Sequence, residues 1–270
     1  MEIPKKETTD AFLEADPNTY SRILNQEHDL NESERGIKTF QLKTGEILYE
    51  LQKSPHMQQF TSRILKAGFP VADVVEVDGS YFSYAPKELK QAQELKTEDQ
   101  IKGDLKMIAF LTNDVDHHYA QKNKYFWRAS YQKNVSIEHP IDKNEKMMHA
   151  AYYDFDLASG FFLDSTKAPK EYAEFLEKAS PETKRYLLKK SQHLLNYWSS
   201  QEGREQVKAA FKETGKTIGE LFGIRSATVT SLSAIKAEGK TFDDFYNLLL
   251  ERIQKMHTIN EAAVKRKSKV

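Results

Sequence analysis

Residues 36–85 read GIKTFQLKTGEILYELQKSPHMQQFTSRILKAGFPVADVVEVDGSYFSYA. Two alternating runs, Ile37 to Leu42 and Ile47 to Gln52, flank Thr44-Gly45, where glycine can supply the positive φ of a tight hairpin. A punctuated helix follows. Ser54 is placed to cap it, Pro55 suits its first position, and Met57, Phe60, Ile64 and Leu65 share one face, with Gly68 as its stop and Pro70 barring continuation. Val74 to Val77 and Tyr81 to Tyr84 then pair across Asp78-Gly79, a second hairpin signal. The order is β-β-α-β-β in about fifty residues, a count read from the strand and helix periods together.

Downstream, Ala85 to Glu88 is a polar link, and a helix is expected from Thr97 to Leu111 with Ile101, Leu105, Ile108 and Ala109 on one stripe. A polar loop, Thr112 to Asn123, leads to an aromatic strand, Lys124 to Trp127. A second strand, Met147 to Tyr153, runs into Asp154-Phe155-Asp156. Beyond Ala168 the chain reads as helical: Tyr172, Phe175, Leu176 and Ala179 form a stripe, Ser180-Pro181 starts another helix, and Phe242 to Ile253 keeps helical spacing from a start near Thr241. Residues 1–35, with a turn at Asp16-Pro17-Asn18, read as an N-terminal extension, 36–86 as a β-rich unit and 87–270 as a mainly helical one. The basic run Lys265 to Lys269 reads as a solvated tail. The expected fold class is α+β.

Composition narrows the function classes. Forty basic residues balance forty acidic ones, so nothing marks a protein built around nucleic acid or an anionic membrane. Fifteen Phe, 13 Tyr and 2 Trp supply the large core side chains that disordered chains lack. The absence of cysteine excludes disulfides, thiol catalysis and cysteine metal sites. Met1 to Lys6 opens no apolar signal region, and no run approaches the ~18 apolar residues of a membrane span. A cytoplasmic protein, or one secreted into a host cell without a signal peptide, is the expectation.

Chemistry concentrates in two loops. One holds Asp114, Asp116, His117, His118, Gln121 and Asn123; the other holds Asp154 and Asp156. Carboxylate and amide oxygens in this number suit a hard cation such as Mg²⁺, which takes one or two carboxylates and substrate phosphates. Adjacent His117 and His118 do not reach one ion easily, and His139, His149 and His193 lack ligand spacing, which argues against zinc. The cluster Tyr125, Phe126 and Trp127 reads as strand core, since no basic residues interleave it as in a base-stacking platform.

The β-β-α-β-β unit, link, helix, Asp-rich loop ending in Asn, strand pair and Asp-Phe-Asp together resemble the two-lobed protein-kinase-like fold, with a small β-rich N-lobe and a mainly helical C-lobe. The match by element order covers residues 36 to 165 and is closest in tone to HipA-like proteins and secreted bacterial effector kinases. The resemblance implies an ATP- and Mg²⁺-dependent phosphotransferase acting on a protein hydroxyl. Lys53 would be the phosphate lysine, Tyr84 and Ala85 part of the adenine hinge, Asp116 the catalytic base, and Asn123, Asp154 and Asp156 the metal side. The family's loop sets Asp and Asn five residues apart, whereas Asp116 and Asn123 are seven apart. His118 or Asp114 therefore stand as alternative bases and Gln121 as the alternative amide.

Other departures are the missing Gly-rich loop, Gln58 and Gln59 where the helix glutamate belongs, and Asp156 in place of the Asp-Phe-Gly glycine. Glu50 or Lys43 could compensate. The alternatives are an inactive pseudokinase-like interaction module and AMP transfer on the same fold. Expected partners are a protein substrate and, from the lysines around 184–190 and 204–216, an anionic activator such as an inositol phosphate; neither nucleic acid nor a membrane span is expected.

Overall fold

The computed structural model describes residues 39–41, 47–51, 54–77, 80–84, 95–113, 135–138, 147–152, 161–163, 167–222 and 236–265. Its first sheet contains β1 (Thr39–Gln41), β2 (Ile47–Glu50), β3 (Asp73–Val77) and β4 (Ser80–Tyr84), all antiparallel, in the order β1-β2-β4-β3. Both expected hairpins are present: Phe40 lies opposite Leu48, and Val77 opposite Ser80. Paired on both sides, as β2 also is, β4 buries Phe82 and Ser83, which point to opposite faces. On the rim, Tyr81 donates its hydroxyl to the exposed Glu76 directly across the pair, 2.9 Å away.

Between β2 and β3 lies α1 (Pro55–Leu65), which buries Met57, Phe60, Ile64 and Leu65 as its spacing requires. Two of its expected end signals act differently. Ser54 occupies the N-cap but adopts a left-handed conformation, φ 46°, and makes no side-chain capping bond. Gly68 does not take a positive φ. A Cβ there would stand 2.5 Å from Cδ2 of Leu194, so the position is held by close approach and not by turn geometry. The helix ends at Leu65, five residues before Pro70, whose carbonyl accepts the Tyr152 amide at 2.7 Å.

That bond belongs to the second sheet: β5 (Lys96–Thr97), β6 (Val135–Glu138) and β7 (Met147–Tyr152), in the order β5-β7-β6. The partners of β7 are thus 96–97 and 135–138; the strand expected at Lys124 to Trp127 lies outside the described residues. Val71 bridges to Tyr152, and the Ala72 amide donates to the Tyr152 carbonyl at 2.8 Å, stitching the α1–β3 connection to the end of β7.

The helices are α2 (Glu98–Thr112), α3 (Lys167–Lys178), α4 (Pro181–Trp198), α5 (Gln201–Glu213), α6 (Ile218–Phe222) and α7 (Phe242–Lys265). Thr97 and Gln100 form a reciprocal capping box on α2, and Ser180 caps α4 through the Thr183 amide ahead of Pro181. Instead of one apolar stripe, α2 is buried on nearly every face, with Gln100, Asp104 and Lys106 inside. Such a helix is the centre of its layer. The rings of Phe60, Phe161, Phe162, Phe222 and Phe245 join α1, α6 and α7, with Phe161 and Phe245 centroids 4.5 Å apart. The chain is an α+β protein, and no helix among the described residues is long and apolar enough to cross a membrane.

Candidate functional site

Of the residues the sequence singles out, Lys53, Ala85, Asp114, Asp116, His118, Gln121, Asn123, Asp154 and Asp156 lie outside the described residues, as does Lys43. Tyr84 ends β4, with its backbone opposite Leu48 of β2 and Asp73 of β3. The frame that carries the others is described. Leu51, two residues before Lys53, donates its amide to the Tyr81 carbonyl at 2.7 Å, so β2 stays paired to its end. Gln58, one of the two amides standing where the resemblance calls for a glutamate, is buried at 4 % exposure.

The roots of the two polar loops meet. Asn113 closes α2 in a left-handed conformation, φ 55°, which asparagine tolerates. Its side-chain amide donates to the Leu163 carbonyl at 3.4 Å. Arg252 of α7 reinforces this junction. One guanidinium nitrogen donates to the Leu111 carbonyl at 2.8 Å and another to the Phe161 carbonyl, while the guanidinium carbon lies 4.3 Å above the Phe161 ring. The residues just before 114–123 and just after 153–160 are therefore tied to one cation, whose planar fork suits two carbonyls at once.

Next to the end of β7 is a polar cluster that the sequence did not announce. Asp104 of α2 is fully buried and accepts hydrogen bonds from Lys96 (2.8 Å), Lys190 (2.7 Å), Tyr152 (2.8 Å) and Tyr186 (2.9 Å to Oδ2). These donors come from β5, α4 and β7. The lysine side chains are 7 % and 11 % exposed, and the Lys190 ammonium also lies 4.6 Å from the Phe69 ring centre. Burial by itself would raise the Asp104 carboxyl, but Lys190 and Lys96 outweigh it and hold it below the ordinary carboxylate range. Burial pushes the Lys190 ammonium down, with Asp104 opposing and Lys96 adding to the depression, to about 8. Asp104 is the one carboxylate facing both ammonium groups among the described residues.

A third constellation has the residue types of a hydrolase. Ser191 Oγ lies 3.1 Å from Nδ1 of His257, whose Nε2 is 3.9 Å from Glu261. Yet Ser191 is fully buried between α4 and α7, donates to its own helix at Leu188, and accepts from Asn260. A nucleophile needs space for an acyl carbon above it, so this is an interhelical polar contact. An apolar cavity of about 20 Å³ lined by Phe60, Ile64, Leu65, Leu111, Phe222 and Leu249 is large enough for one water and too apolar to hold it.

Among the described residues no group of three or more His, Asp or Glu could hold a metal ion. The lysines around 184–190 do not form one basic face: Lys184 and Lys190 turn inward, while Arg185 and Lys189 are exposed. On α5, Arg204, Lys208 and Lys212 alternate with Glu202, Glu205 and Glu213. No family model matches this chain, and no curated protein or solved structure matches it.

Proposed function

We propose that the chain is a phosphotransferase of the protein-kinase-like type, two-lobed, taking ATP with Mg²⁺ and delivering phosphate to a hydroxyl of a protein substrate. What carries this proposal is the junction at Arg252, which gives the loop with Asp116 and Asn123 and the segment with Asp154 and Asp156 a common root. Phosphoryl transfer needs such convergence, because it is achieved by positioning and by charge neutralisation and not by covalent chemistry on the protein. The sheet adds support: a helix spliced between β2 and β3, with β2 running beside β4, brings the strand leading to Lys53 next to the strand ending at Tyr84.

In this proposal Mg²⁺-ATP supplies the activated phosphoryl group. Lys53 binds its phosphates, and Asn123, Asp154 and Asp156 are the residues that would hold the ion. Asp116 accepts or orients the proton of the acceptor hydroxyl. Transfer from radiolabelled ATP to a generic protein acceptor or to the chain itself tests it. Incorporation is expected for wild type and is expected to fall at least a hundredfold in Asp154→Ala and Asp116→Ala, in line with the loss of one stabilising or acid–base group. Equal incorporation by all three proteins refutes the proposal. The mass added to the product separates phosphate from AMP.

A further inference from the structure

A structural ion pair on Asp104 needs one lysine, and this cluster has two. Lys96 and Lys190 both lie within 2.8 Å of the carboxylate, so among the described residues the group has two cations and one anion, a surplus positive charge in a nearly dry setting. A surplus buried charge is costly in desolvation, and burial is the largest influence on Lys190. The two tyrosine hydroxyls do not offset it, because each already donates to Asp104. Each ammonium has three N–H donors, and the carboxylate takes one from each lysine. The rings around Lys190, Phe69 and Tyr186, are 4.6 and 4.8 Å away and present π faces, which attract a cation without neutralising it. Lys190 retains about a tenth of its side-chain surface, beside the half-buried Tyr186.

We infer that Lys96 and Lys190 form the receptor of a small oxyanion, a phosphate group either free or on a small ester, with Asp104 as the fixed counter-charge that keeps the two ammonium groups together. Two neighbouring ammonium groups, each with more N–H donors than the one given to Asp104, match the several acceptor oxygens of a phosphate, and one negative charge suffices for neutrality. The inference does not depend on the phosphotransferase proposal, since it uses none of that proposal's residues.

The test is thermal melting of the full chain in inorganic phosphate and, separately, O-phosphoserine, against chloride at equal ionic strength. Wild type is expected to gain a saturable shift of about 5 °C or more at a hundredfold excess over Kd. Lys190→Met should lose that shift while melting at or above the wild-type midpoint in chloride, because it leaves a balanced Lys96–Asp104 pair. The exposed neighbour Lys189→Met should respond as wild type does. General salting effects act on every variant alike, so the difference between wild type and Lys190→Met is decisive. A response to phosphate marks a free-anion site, and a response confined to phosphoserine marks an ester site. Absence of both in wild type, or an undiminished response in Lys190→Met, overturns the inference. If Lys190→Met fails to fold, equilibrium dialysis of wild type with labelled phosphate decides: one equivalent competed by phosphoserine upholds the site, and none refutes it.

Discussion

Replacing Asp104 with asparagine keeps the shape of the cluster and removes its only negative charge among the described residues. Four donors then face a neutral amide, and the ammonium groups of two side chains only 7 % and 11 % exposed stand together with no carboxylate among the described residues to compensate them. Breaking a buried pair from one side typically costs about 3–5 kcal/mol. A second route to the magnitude starts from proton loss. A lysine of ordinary pKa 10.5 can escape the penalty by going neutral, which at pH 7 costs about 1.36 × 3.5, or roughly 5 kcal/mol, so the loss cannot much exceed that for each lysine.

The same arithmetic gives a pH signature. At pH 9 neutralisation is cheaper by about 1.36 × 2, or roughly 3 kcal/mol, so the defect of Asp104→Asn should shrink as the solution becomes basic. Wild type should also gain stability above pH 8. The Lys190 pKa is depressed to about 8 in the fold, so between that value and 10.5 the unfolded chain binds more protons than the native one and stability rises with pH. Tyr172, Tyr81, Tyr197 and Tyr246 are all raised, chiefly by burial, and erode stability only beyond their ordinary 10. The window from 8 to 10 is therefore the one to read. Urea unfolding followed by tryptophan fluorescence, with Trp198 fully buried in the native state, measures it at pH 7 and pH 9. An Asp104→Asn protein within 1 kcal/mol of wild type at pH 7, or one whose defect is the same at both pH values, refutes this account of the cluster.

Gly68→Ala should lower the melting midpoint by an amount equivalent to about 1–3 kcal/mol, because the new methyl overlaps the Leu194 side chain; a midpoint equal to wild type would show that α4 yields freely. Ser191→Ala should cost no more than about 1–2 kcal/mol in urea unfolding, and a fluorophosphonate probe should leave the wild-type chain unlabelled; labelling at Ser191 would restore the hydrolase alternative.

The two hairpins and α1 were legible because their signals are local. Glycine-containing turns, alternation at period two and the apolar spacing of Met57, Phe60, Ile64 and Leu65 each act within about ten residues of chain. The starts of α2, α4 and α7 were legible for the same reason, each announced by Thr97, Ser180 or Thr241 one residue ahead of the helix; the Thr241 hydroxyl accepts from the Asp244 amide at 3.2 Å while the Asp244 carboxylate takes the Thr241 amide. Gly68 shows how a correct position can have the wrong cause. A helix stop by glycine is a local rule, but what requires glycine here is Leu194, far along the chain. The pairing of β7 with 96–97 and 135–138 had no local signal either, since strand partners are chosen by long-range burial.

Asp104 is the sharpest case. Within α2 it stands one residue before Leu105 and three after Ile101, where a sequence pattern reads a charged residue as the solvated side of an amphipathic helix. That reading fails because α2 is buried on every face from Gly103 to Thr112, and a carboxylate placed there has to find cations. The cations come from positions 96 and 190, eight and eighty-six residues away, and nothing in the spacing of either relates it to Asp104. One sequence-level clue did exist. Gly103 interrupts a strong helix former, and a Cβ there would stand 2.9 Å from Leu187, which shows α4 pressed directly onto α2 next to Tyr186 and within one turn of Lys190. A glycine inside an otherwise apolar helix marks where another helix crosses closely, and a charge beside that glycine is one that must be answered from across the interface.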